Sequence, residues 1–373
     1  MKWVGLLTLA LGCAQAPDAP GEVRLVEAVI VGDRTSVVAD GRYALTFGRD
    51  GTVRMPEELE IRGDHPHGNV LGTDFCPLES LIAVSMFPGG VAVGGKPLAG
   101  GGTSSQVVEL GGPVIARVRV DYSVPYMCGN AQHLKGNAVF TMFPNGRIHR
   151  QDTVTSSDSE LTPTSDCGCS HVTTGSTGSG YFFTSSYAFE STAMIDVMRA
   201  GAPDACAEWS DLTIGMRWLD SSNTRVSPNG RPSFVLDMLT SSDDNFPVTT
   251  MTHRSMMQIA SSAPAPACSD VLRDLAQPGI NVGGSATNVD GDGIYRDTDS
   301  HSGPIEIKAA VAVPPFALSL AVGNHASVSS TVAHQGRWYA TQPDAPMGTD
   351  DGMTLFWFDN GLAAGETITV TPR

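Results

Sequence analysis

Apolar and polar residues alternate along most of this chain with a period of two. The runs VRLVEAVIV (23–31), RYALTFG (42–48), SLIAVSM (80–86), VIARVRVDYSV (114–124) and NAVFTMF (137–143) set the pattern. YFFTSSYAF (181–189), LTIGMRWL (212–219), PSFVLDML (232–239), IEIKAAVAV (305–313), TLFWF (354–358) and TITVTP (367–372) continue it. These segments are rich in β-branched and aromatic residues, and Gly, Pro, Asn and Asp separate them at short intervals, which predicts strands. Two turns are written into the sequence. Phe47-Gly48-Arg49-Asp50-Gly51-Thr52-Val53 centres on Asp-Gly, and Phe143-Pro144-Asn145-Gly146-Arg147-Ile148 centres on Asn-Gly. The best helix signal is Ser269 to Leu275, with Ser269 as its cap. Many short strands without alternating helices predict an all-β fold. We expect one large antiparallel sandwich over 23–373, with long loops and few helices. A subdivision near 261–268, at Ser261-Ser262-Ala263-Pro264-Ala265-Pro266, is the alternative. The Ser-, Thr- and Gly-rich stretch 156–180 reads as a decorating loop.

The first residues break the pattern. Lys2 precedes a nearly unbroken apolar run from Trp3 to Leu11. A bilayer crossing needs about 20 apolar residues, so this segment is too short to span and reads as an export signal. Its exit, Ala10-Leu11-Gly12-Cys13, resembles the lipobox of bacterial lipoproteins, although Leu9 lies one place further from the Cys than the family usually has it. The resemblance implies a signal over 1–12, acylation of Cys13 and a Pro/Ala tether over 13–22. Ala14 is not the Asp that retains some lipoproteins at the inner membrane, so an outer-membrane anchor through the N-terminal lipid is implied. Cys76, Cys128, Cys167, Cys169, Cys206 and Cys268 remain, an even set in an exported chain. They read as disulfides whose pairing the sequence leaves open.

The strand PVIARVRVDY, the hairpin VFTMFPNGRIHRQDTV and the terminal FDNGLAAGETITV resemble the β-supersandwich of galactose-mutarotase-like and polysaccharide-lyase domains. That resemblance implies a large sandwich. The net charge of -16 argues against nucleic acid, whose binding rests on Lys and Arg, and tilts against polyanionic glycans.

Chemistry is concentrated in a few places. Asn288, Asp290, Asp292, Gly293 and Ile294 occupy positions 1, 3, 5, 6 and 7 of a calcium-type loop, with Asp297 and Asp299 closing it. Position 9 is Arg296, which cannot be a ligand, so the match is to the opening half. Calcium is the expected cofactor, as a loop staple. Arg147 and His149 share one face of the strand after the Asn-Gly turn, with Ile148, Arg150 and Asp152 on the other. A groove there would suit a lyase, with Arg neutralising a sugar carboxylate and His taking the α-proton. His253-Arg254 offers a second such pair. A solvated polar face is the plainer reading of both. Asp64-His65-Pro66-His67 lacks a third metal ligand. No nucleophile elbow, P-loop or zinc-protease motif is present. Trp209, Trp218, Trp338, Tyr339 and Trp357 could stack on sugars, and we expect Trp338-Tyr339 to be exposed and Trp218 and Trp357 to be core. The sequence thus points to an envelope lipoprotein that binds a glycan or an envelope partner. A polysaccharide-lyase-like enzyme and a purely structural protein are the alternatives.

Overall fold

The computed structural model describes residues 25–39, 41–48, 56, 58–71, 82–86, 93–95, 103–112, 114–125, 133–156, 181–188, 194–196, 204–219, 224–227, 233–240, 250–321, 326–330, 338–343 and 353–372. These residues form an all-β sandwich fold with one helix, Cys268–Asp274. A first antiparallel sheet runs in sequence order through Val26–Val31, Arg34–Ala39, Tyr43–Phe47, Glu58–Ile61 and His67–Asn69. It packs on an eight-stranded sheet. The spatial order there is Met194–Asp196, Asp204–Glu208, Leu212–Trp218, Thr250–Ser261, Arg147–Ser156, His133–Met142, Ala116–Pro125 and Thr103–Gly111. A third sheet combines Thr224–Ser227, Ser233–Thr240, Tyr181–Ala188, Ile82–Met86 and Val93–Gly95.

Alternation explains the packing of the first pair. Val37, Leu45, Phe47 and Leu59 meet Val118, Phe140, Ile214 and Ile259 in one core. Phe47 and Phe140 lie 4.9 Å apart between ring centroids, and each buried aromatic contributes roughly 2–3 kcal/mol. The Asn-Gly turn behaves as written: Gly146 takes φ 87° and Arg147 N donates to the Asn145 side chain.

The C-terminal part builds a second, smaller sandwich. One of its sheets orders Ser285–Thr287, Ile280–Val282, Ile305–Lys308, Thr367–Pro372 and Ala326–Ser330. The other orders Ile294–Asp297, Phe316–Leu320, Thr354–Phe358 and Trp338–Pro343, the first two being parallel. Its core gathers Val282, Tyr295, Ile307, Phe316, Phe356 and Val370. The two cores part between Ile259 and Ile280. A small third cluster joins the two sandwiches, with Val114, Ile115 and Phe143 against Ile294, Ala317, Leu355 and Trp357. Trp357 is fully buried there and stacks on Phe143.

The helix lies in the segment that connects the two sandwiches. Its N-cap is Ala267, without a side-chain cap, so the expected cap at Ser269 is corrected. Ser269 lies one residue inside the helix because Cys268 is held back on the eight-stranded sheet. A disulfide joins Cys268 to Cys206, and the Cys268 N–H donates to Glu208. Gly215 makes room for the helix: a Cβ there would come within 2.9 Å of Val271. Closing a loop of 62 residues restricts the unfolded chain, so Cys206→Ser should cost about 3 kcal/mol. Scanning calorimetry should show a midpoint lowered by about 6 °C, and an unchanged midpoint would contradict the staple. Among the described residues no helix is long and apolar enough to cross a membrane.

Candidate functional site

The chemistry-bearing residues meet where the second sandwich sits on the eight-stranded sheet. Register places Arg117 beside Thr141 and Thr141 beside His149, in a row across three strands. The next row on the same face sets Gln151 beside Arg254. Arg117 Nε reaches Thr141 Oγ1 at 3.5 Å. The acidic loop, residues 290–293, lies over this face. Its glycines allow the approach: a Cβ on Gly291 would stand 2.6 Å from Gln151 Oε1. One on Gly293 would stand 3.4 Å from the His149 Cβ, and φ of 82° there favours glycine as well.

Asp292 is the centre of the contact. Its carboxylate accepts from Arg117 Nη2 and from both terminal nitrogens of Arg296, at 2.7 and 2.5 Å. Asp290 accepts from Arg296 Nη1 at 2.8 Å. Burial alone would raise the Asp292 pKa. The hydrogen bonds of Arg296 and the charges of Arg117, Arg296 and His149 outweigh it, holding the carboxyl below its ordinary range.

Arg147 makes a second join. It is fully buried, and its guanidinium donates to the Pro315 carbonyl at 3.0 Å and the Asp274 carbonyl at 2.5 Å. Burial lowers its pKa to about 10, against the opposing influence of Tyr295 and Asp274, so it is cationic at neutral pH. Tyr295 donates to the Pro278 carbonyl at 2.6 Å, and burial raises its own pKa. Three segments far apart in sequence thus meet at one side chain.

The open groove expected around Arg147 and His149 is corrected by this geometry. Both residues are 0% exposed. Alternation sorted the two faces as expected, but neither is a solvated face. On the opposite one, Arg150 pairs with Asp152 at 2.9 Å, and the Arg150 guanidinium lies 5.3 Å from the Phe140 ring centre. Tyr122 is buried beside them, and its pKa is raised by burial first and by Asp152 second. Register sets His253 opposite Asp152, whereas Arg254 is opposite Gln151. The described side chains of Arg147, His149 and Arg254 share one face, on which the first two are buried and Arg254 is partly exposed, and the His253 side chain lies outside what the structure describes.

The calcium-type loop also has a definite arrangement. Asp290 and Asp292 face Arg296, and Asp297 holds His301 at 2.9 Å and caps the N–H of Asp299. The Asn288 amide oxygen stands beside Gly279, and Ile294 is buried in the cluster that joins the sandwiches. Among the described residues the group of three His, Cys, Asp or Glu with ligand atoms within 4.8 Å of one another is Cys206, Glu208 and Cys268. Its thiols are joined to each other. The loop carboxylates do not converge on one point in this arrangement, and a cation would have to displace Arg296 to bind them. Arg296 and Arg117 are the partners of the acidic loop that sequence reasoning passed over. The signal was present as an Arg four residues after Asp292 and an Arg-rich strand, ARVRV, upstream.

Other expected sites are placed as follows. His65 and His67 both approach Asp211, His67 at 3.0 Å, which ties the first sheet to the eight-stranded one. Trp209 is partly buried against the first core. The backbone of Trp338 and Tyr339 starts the terminal strand of its sheet in the described order, in register with Phe358 and Trp357. Their side chains, and that of Trp218, lie outside what the structure describes, as do Cys13, Cys76, Cys128, Cys167 and Cys169.

No family model matches the chain. No curated protein matches it either. Among solved structures, it is similar to a heparan sulfate lyase, HepC, from Pedobacter heparinus, with 9% identity and a TM-score of 0.36. That likeness covers 70% of this chain and 37% of the lyase. A heparinase III is similar with 9% identity and a TM-score of 0.34, covering 77% of this chain and 40% of that one. The chain spans less than half the length of these structures.

Proposed function

We propose that the protein is a lipid-anchored envelope protein whose β-sandwich body binds a glycan or an envelope partner without cleaving it. The observation that supports binding over catalysis is the burial of Arg147 and His149. The base a lyase would need, His149, lies under the acidic loop, Arg147 is bound to the Pro315 and Asp274 carbonyls, and the neighbouring Arg117 is engaged by Asp292. A general base must reach the proton that it removes, and nothing can approach His149 while the 290–293 loop covers it. Calcium as a loop staple would have to take the place of Arg296 at Asp290 and Asp292. The proposed ligand-contacting residues are Trp338 and Tyr339, an aromatic pair suited to stacking on sugar rings.

A glycan panel read in two ways tests the proposal. Neutral glycans are expected to bind, because the chain carries a net charge of -16, and no ultraviolet absorbance from unsaturated products should develop. Trp338→Ala should weaken that binding by roughly tenfold. New absorbance would overturn the non-catalytic reading. Absence of binding across the panel would leave a structural envelope protein.

A further inference from the structure

We propose that Cys206, Glu208 and Cys268 form a redox-gated site for a thiophilic divalent cation such as zinc, closed by the disulfide and opened when a protein dithiol reduces it. Cys206 and Glu208 alternate on the strand Asp204–Glu208, so both side chains stand on one face. Cys268, at the start of the helix, comes to them from 62 residues further along the chain. Among the described residues this is the group whose ligand atoms all lie within 4.8 Å of one another. Two thiolates and a carboxylate suit zinc, at about 2.3 Å from sulfur and about 2.1 Å from oxygen. A tetrahedral site sets its two sulfurs about 3.8 Å apart. With the Cα atoms 5.8 Å apart, rotation of the two cysteine side chains reaches that spacing. The fourth position is left for water.

Glu208 is what makes the cysteine pair a site. The Cys268 N–H donates to its Oε1 at 2.9 Å, a contact that holds the carboxylate beside the sulfurs without using the S–S bond. Other contacts keep Cys268 over the strand in the same way. Thr213 Oγ1 donates to the Pro266 carbonyl at 2.6 Å, and Val271 and Leu275 of the helix pack over Gly215. The ligand set therefore stays assembled after reduction. A disulfide is uncharged and gains nothing from a neighbouring anion. Two free thiolates and a carboxylate repel one another, and a divalent cation neutralises all three. Reduction has one open approach, because Cys206 is buried whereas Cys268 is partly exposed beside the exposed Ser269. A thiolate of the dithiol attacks the Cys268 sulfur, the S–S bond breaks and its electron pair leaves on Cys206 Sγ. The second thiol then closes the reductant's own disulfide and releases Cys268. The protein gains two electrons and two protons, the dithiol loses the same, and metal binding sends the two thiol protons to water.

The test uses the full chain, reduced with a phosphine, freed of it and kept without air, with cobalt(II) as the spectroscopic probe. Reduced wild type should bind one equivalent more than the variant carrying Cys206→Ser and Cys268→Ser together, which keeps every other cysteine. The difference should carry the ultraviolet absorbance of thiolate-to-cobalt charge transfer, and the oxidised protein should lack it. Glu208→Gln leaves an oxygen to accept the Cys268 N–H but removes the anionic ligand. It should keep the absorbance and bind at least about tenfold more weakly. Zinc should raise the unfolding midpoint of the reduced wild type and leave that of the double variant unchanged. If the reduced chain unfolds, cobalt should refold it, since binding and folding are then one equilibrium. Equal uptake by the reduced wild type and the double variant, or equal affinity in Glu208→Gln, would overturn the site.

Discussion

Asp292→Ala should lower stability by about 4 kcal/mol and the unfolding midpoint by about 8 °C. The substitution takes one anion away from Arg117 and Arg296, which meet it at the join between the two sandwiches. Removing one member of a buried charge cluster leaves the others desolvated and uncompensated, which costs more than the pair itself contributes. The effect should depend on pH in a fixed direction. Burial raises the carboxyl pKa, and the arginines outweigh that rise, bringing the folded value below the ordinary 3.8. A depressed folded pKa stabilises the protein above the unfolded value, and that stabilisation drains away as pH falls through the folded one. The gap between wild type and Asp292→Asn should therefore be full at neutral pH and close under strong acid. Urea titrations at both pH values measure it. A gap that widens in acid would show that Asp292 is not held by its arginines.

Arg147→Met should cost about 4 kcal/mol as well, by a different route. Methionine keeps much of the volume but offers no donors. The Pro315 and Asp274 carbonyls, which the guanidinium now satisfies, would lose their partner inside the protein. Each buried unpaired carbonyl costs about 1–3 kcal/mol. Arg147→Lys should recover less than half of the loss, since one ammonium cannot reproduce the fork that reaches both carbonyls. Calorimetry should also show the transition broadening or splitting, because the clamp couples the end of the helix to both sandwiches. Glycan binding should survive in the fraction that remains folded.

The strands, the Asn-Gly turn and the helix segment could be read from the sequence because each is set locally. Alternation of apolar residues, a residue that tolerates positive φ and the end of an apolar run act within a few positions. Alternation also separated Arg147 and His149 from Ile148, Arg150 and Asp152 correctly. It could not say that both faces are covered. A strand's own sequence reports which residues share a face, and what packs on that face comes from elsewhere in the chain. Here the cover is the 290–293 loop, and Arg117 meets Asp292 across 175 residues. The same reach along the chain brings Arg117 to the loop Asn288 to Asp299. Alternating carboxylates with glycines describe a loop that needs positive charge, whether a metal or a guanidinium supplies it. In the folded chain Arg296 and Arg117 stand against those carboxylates, because the second sandwich docks there through Ile294, Leu355 and Trp357 on Phe143. Local periodicity determined the elements and their faces. Only long-range packing decided which face met solvent and which charge met its partner.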